Sequence, residues 1–111
     1  MELTCVREDR PDATVLTVTG EVDVHSAPAL REALVEAEAR GLTIVVDLSG
    51  VPFMDSTGLG VLIGALGRAI DEDRRFVLCA IPERIDRLLS LTGLADRFEV
   101  AKDSAHALGL E

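Results

Sequence analysis

Hydrophobic and polar positions change period several times along the 111 residues, and those changes divide the chain into elements. Residues 14–19 alternate, with Leu16 and Val18 on one side and Thr17 and Thr19 on the other, as in a strand with one apolar and one solvated face. A shorter strand at 3–7 precedes it across a polar hairpin connection, 7–12. From Ser26, a candidate N-cap with Pro28 in the first turn, the period becomes helical: Leu30, Leu34 and Ala37 form one stripe, and Gly41 is the stop signal. Residues 43–48 are a third strand, with Ile44, Val46 and Leu48 opposite Thr43, Val45 and Asp47. A loop, 49–55, leads to a helix at 57–70 that is more apolar all round than the first and is therefore expected to lie centrally against the sheet. A fourth strand at 75–80, a third helix from Pro82 to Leu91 stopped by Gly93, a short strand at 98–101 and a last short helix capped by Asp103 or Ser104 complete the order.

Strands that alternate with helices imply a mostly parallel sheet joined by right-handed crossovers; the short first connection turns strand one antiparallel. The expected fold is α/β, one domain over 1–111, with a five-stranded mixed sheet and about four helices mainly on one face.

Composition narrows the chemistry. Twenty acids against eleven bases give a formal charge of -9, and residues 1–55 carry eleven of those acids with only four arginines. Such a surface repels nucleic-acid phosphates and anionic membranes and favours a partner with a basic patch. With no Trp or Tyr and only three Phe, aromatic stacking on bases has no platform. No basic-then-apolar leader and no membrane-length apolar run is visible, so a cytoplasmic protein is expected. Cys5 and Cys79 lie in predicted strands without CxxC spacing and read as buried thiols.

The most informative stretch is Asp55-Ser56-Thr57-Gly58-Leu59-Gly60, a hydroxyl pair at a loop-to-helix junction. A nucleophile elbow requires glycine two residues before the serine, where Met54 stands, and His25 and His106 are the only histidines available as bases. A dinucleotide fingerprint requires glycine where Ile63 stands, and a ribose-binding acid is missing after residues 79–80. Gly60, Gly64 and Gly67 read instead as positions of close packing on the sheet. Asp23, His25 and Asp55 lack metal-ligand spacing, so neither metal nor cofactor is expected.

Four segments then carry a resemblance: Gly20-Glu21-Val22-Asp23, the 45–51 run Val-Val-Asp-Leu-Ser-Gly-Val, the 55–62 run beginning Asp55-Ser56-Thr57-Gly58, and Leu91-Thr92-Gly93-Leu94. Together they resemble the STAS domain of bacterial anti-sigma factor antagonists, nearly end to end. The resemblance implies a non-catalytic binding protein. Its unphosphorylated form binds an anti-sigma factor that is also a serine kinase, and so frees a sigma factor; phosphorylation ends the binding and a serine phosphatase restores it. It implies Ser56 as the acceptor, with Thr57 the rival, and a partner surface from Asp23, His25, Phe53, Met54, Asp55, Ser56, Thr57, Gly58 and Leu59. Phe53 and Met54 are either exposed anchors or core under the loop; Asp55 either positions the hydroxyl or caps the helix. A free-standing monomer is expected, and the alternative is a STAS module of a larger signalling assembly or ligand-sensing scaffold.

A phosphoryl group adds about -1.5 to -2 charge. The helix N-terminus attracts it by roughly 0.3 to 1 kcal/mol, whereas Asp55, and Asp23 if its loop lies alongside, repel it. Local charge, not refolding, is the expected basis of the switch.

Overall fold

A computed structural model describes residues 2–110. Five strands, β1 (Thr4–Asp9), β2 (Ala13–Thr19), β3 (Thr43–Gly50), β4 (Phe76–Cys79) and β5 (Glu99–Ala101), form one sheet in the order β1-β2-β3-β4-β5. β1 runs antiparallel to β2, and every later pair is parallel. Because neighbours in sequence are neighbours in the sheet, right-handed crossovers place all three connecting helices on one face. These are α1 (Ala27–Glu38), α2 (Ser56–Asp71) and α3 (Glu83–Leu91). A 3-10 turn, Ala95–Arg97, precedes β5, and α4 (Ser104–Ala107) ends the order.

The alternation of β2 and β3 determines what the two faces bury. Leu16, Val18, Ile44, Val46, Leu48 and Leu78 meet Leu30 and Leu34 of α1, Leu59, Leu62, Ala65 and Ala69 of α2, and Ile85 and Leu89 of α3 in the main core. The opposite face is not simply solvated: Val15, Val45, Val77 and Cys79 pack beneath Ala107 of α4, with Leu108 beside it. Burial pushes the Cys79 thiol up to about 12, aided by the charges of Asp47 and Asp103.

Three sequence expectations change. Ser26 precedes α1 but makes no side-chain cap; the chain is already turning from Asp23, whose carbonyl accepts from Ala27 N at 2.8 Å. α2 buries one stripe only, and its outer face leaves Ile63 39% and Ile70 65% exposed. Nor do its glycines pack as expected: a Cβ at Gly60 or Gly67 would meet nothing within 4 Å, and at Gly64 only the tip of Arg68 at 3.5 Å. The close approach is at Gly58, where a Cβ would stand 2.5 Å from Val22 Cγ1 and 2.8 Å from Met54 Cγ. Gly41 and Gly93, with φ of 68° and 74°, end α1 and α3 as their sequence positions predict.

Polar ties fix the outer elements. Arg40 donates to the carbonyls of Arg10 (2.7 Å) and Ala13 (2.9 Å) and to the buried Thr14 hydroxyl (2.9 Å), fastening the end of α1 to the β1–β2 hairpin. Arg68 makes a two-pronged contact with Glu38, 2.7 and 2.8 Å, joining α2 to α1. The Arg74 side chain is 3% exposed and donates to Glu72 at 2.6 Å, while its Nε and Nη1 are buried without a hydrogen-bond partner among the described residues.

Candidate functional site

β2 and β3 are parallel neighbours, so both end on the same edge of the sheet and the connections that follow them emerge side by side. Backbone bonds then join those two connections. Gly20 N donates to Gly50 O (3.0 Å), Val22 N to Phe53 O (3.0 Å) and Asp55 N to Val22 O (3.1 Å), and Val22 and Met54 form an isolated parallel bridge. Asp23 is thereby held alongside the start of α2. Gly58 completes the arrangement, since only a residue without Cβ lets α2 sit against Val22 and Met54 at this spacing.

At the helix start, Asp55 is the N-cap. It is extended (φ -99°, ψ -174°), and its Oδ1 accepts from Thr57 N at 2.9 Å and Gly58 N at 3.2 Å, while Leu59 N donates to its carbonyl at 3.1 Å. Ser56 is therefore the first residue inside the helix and not its cap. Its side chain is exposed, as is that of Thr57. Both hydroxyls lie in the first turn, so helix position does not favour Ser56 over Thr57. The cap also alters the electrostatics. Two of the amides that would attract a phosphate already bond a carboxylate, so an anion here meets a compensated helix end and a neighbouring negative charge.

The Asp23 turn is built in a similar way. Asp23 Oδ1 accepts from His25 N (2.9 Å) and Ser26 N (3.0 Å), and Ser26 Oγ accepts from Asp23 N (3.0 Å) while donating to Glu21 O (2.8 Å). The amide of Ser26, before any other group, holds the Asp23 carboxyl below its ordinary range. Glu2, Leu3, Glu21, Asp23, His25 and Ser26 border an open cleft of about 380 Å³ on this side. Among the described residues, no group of three or more His, Cys, Asp or Glu is placed to hold a metal ion. No described helix is long and apolar enough to cross a membrane.

The expected surface residues separate by burial. Asp23 and Asp55 are half-buried; His25, Ser56, Thr57 and Phe53 are exposed. Met54, Gly58 and Leu59 are buried, so they support the surface and do not present themselves on it. This settles the alternatives for the loop: Phe53 faces out and Met54 is core. Sequence reasoning passed over Val24, Arg31 and Val61, which line a second groove with Ala27, Pro28 and Thr57. Val24, an apolar residue inside a polar turn, was the available signal.

A STAS-domain family model matches residues 5–107. The chain belongs to the STAS-domain family. Among curated relatives, an anti-sigma-B factor antagonist of Bacillus subtilis is 37% identical over 99 residues, covering 89% of this chain and 90% of the relative. Its Listeria monocytogenes counterpart is 36% identical over 96 residues, covering 86% and 84%. The crystal structure of an anti-sigma factor antagonist from Mycobacterium paratuberculosis superposes with a TM-score of 0.88 at 32% identity, covering 98% of this chain and 93% of that one. The STAS fold accounts for the mixed sheet and for the edge on which the two connections meet.

Proposed function

We propose that this STAS domain is an anti-sigma factor antagonist, switched by phosphorylation of Ser56 by the anti-sigma factor kinase it binds. The observation that carries the reading is the junction itself: an exposed hydroxyl on the first residue of α2, on a rigid backbone, between two acidic loops. The relatives' name supports the partner class.

The unphosphorylated surface offers the partner a neutral hydroxyl flanked by Asp23 and Asp55. A phosphoryl group adds about -1.5 to -2 charge at that point. Because Asp55 already occupies the amides of Thr57 and Gly58, the added charge finds little compensation from the helix end. It projects outward as a hydrated dianion, and a closely fitted partner must desolvate or repel it. The backbone has no reason to rearrange, since among the described residues no hydrogen bond of the junction uses the Ser56 hydroxyl. A serine phosphatase resets the surface by removing the group.

The test is incubation with the anti-sigma factor kinase of the same genome and ATP, followed by mapping of the product. Label is expected on Ser56, absent in Ser56→Ala and largely retained in Thr57→Ala. Ser56→Asp is expected to weaken kinase binding. Label that persists undiminished in Ser56→Ala refutes the switch.

A further inference from the structure

Between the first turns of α1 and α2 lies a groove of about 230 Å³ lined by Val24, Ala27, Pro28, Arg31, Thr57 and Val61. Apart from Arg31 and Thr57 its walls are aliphatic. Val24 stands 60% exposed in the Asp23 turn, where the bonds among Glu21, Asp23, His25 and Ser26 leave it no route into the core. The groove is continuous with the surface around Ser56: Thr57 follows the acceptor in sequence, Val24 follows Asp23, and the bridge between Val22 and Met54 holds the two walls together.

Size and charge select the occupant. The volume is below that of a small-molecule pocket, roughly 300 Å³ upward, and suits one inserted side chain. A formal charge of -9 disfavours a second copy of the chain. The rim is electrically uneven, with Asp23 and Asp55 in the flanking loops and, in the groove wall, Arg31, which has no ion-pair partner among the described residues.

We infer that this groove receives an apolar side chain of the anti-sigma factor kinase, one flanked on the kinase by a basic group toward Asp23 and Asp55 and an acidic group toward Arg31. This rests on the reading of Ser56 as the switch and adds the anchor through which the switch acts. A phosphoryl group next to Thr57 puts a dianion beside an apolar slot, so seating the anchor strips water from the phosphate. Modification then expels the anchor without moving the backbone.

The experiment measures binding of the purified kinase of the same genome to the full chain and to Val24→Asp, alongside Leu91→Asp as a control. Leu91 is 80% exposed on α3, away from the groove. Val24→Asp is expected to bind at least tenfold more weakly and to be labelled on Ser56 more slowly, with its melting temperature unchanged; Leu91→Asp is expected to match the parent. Arg31→Glu is expected to weaken binding at least fivefold, with Arg31→Lys restoring most of it. Parent-like binding by Val24→Asp, while the parent is labelled on Ser56, overturns the anchor and leaves the switch standing. A parent chain that neither binds nor is labelled overturns the switch itself. Self-association in sedimentation that Val24→Asp abolishes overturns the anchor by assigning the groove to a second copy.

Discussion

Gly58, Gly60 and Gly67 lie on one helix, so replacing each by alanine applies the same chemistry to three environments. In a helix interior alanine is favoured over glycine by about 0.8–1 kcal/mol. At Gly60 and Gly67 the new methyl meets nothing within 4 Å, so the full gain is expected. At Gly58 the methyl would lie 2.5 Å from Val22 Cγ1 and 2.8 Å from Met54 Cγ, both in the buried support of the junction. Overpacking of that kind costs typically about 1–3 kcal/mol, which equals or exceeds the propensity gain. For a chain of 111 residues, unfolding entropy near 2.1 cal/mol/K per residue converts 1 kcal/mol into about 4 °C. Gly60→Ala and Gly67→Ala are therefore each expected to raise the melting temperature by about 3–4 °C. Gly58→Ala is expected to fall about 4–13 °C below Gly60→Ala. Thermal melts followed by circular dichroism, checked by urea midpoints, measure the contrast. A Gly58→Ala protein as stable as Gly60→Ala would refute the claim that α2 is seated against Val22 and Met54 through the missing Cβ.

Five other outcomes are expected. Asp55→Ala removes the cap of α2 and should lower stability by about 1 kcal/mol in urea titration, with Asp55→Asn losing less. Glu38→Ala removes both charged bonds to Arg68, whose side chain is 33% exposed, and the carboxylate 4.0 Å from the buried Arg74, and should lose about 1.5–3 kcal/mol, whereas Arg74→Met, which removes two buried unpartnered N–H groups along with an ion pair to the exposed Glu72, should change stability by less than about 1 kcal/mol. The Asp23 carboxyl titrates below its ordinary 3.8 when folded, so the stability it contributes is complete above that value and is lost as pH falls through the lower folded midpoint; Asp23→Asn should flatten this acid limb, as carboxyl NMR titration and acid unfolding will show. Cys79, with its thiol pushed up to about 12, should resist alkylation at pH 8 in the native protein and react once unfolded, a difference mass spectrometry reads directly.

Much of this architecture could be read along the chain. Periods of two and of 3.6 are local consequences of backbone geometry, so they located five strands and four helices with shifts of only a few residues at the ends. Consecutive parallel strands also determine the side on which crossover helices lie and the edge on which connections meet, so the juxtaposition of residues 20–26 with 51–55 was implicit in the order of elements. The hydroxyl pair at the start of α2 was legible for the same reason.

What pattern could not supply was which of several suitable groups wins a contact. Asp55 and Ser56 are both good capping types, and only the backbone conformation at 55, extended and bonded to Val22, gives the cap of α2 to Asp55. Four glycines near one another look alike in sequence, but only Gly58 faces another chain segment, because its neighbours come from residues 22 and 54. Apolar residues likewise carry no sign of whether they point in or out at a loop: Phe53 and Met54 are adjacent and take opposite sides. The groove beside Ser56 combines residues from α1, α2 and the turn before α1, and its Val24 is an unremarkable loop position until those pieces are brought together. Sequence alone determined the elements, their order and the hydroxyl pair at the start of α2, because these depend on interactions between near neighbours along the chain. Only the tertiary structure decided the cap, the close contact and the groove, because each depends on distances between segments that the chain brings together only by folding.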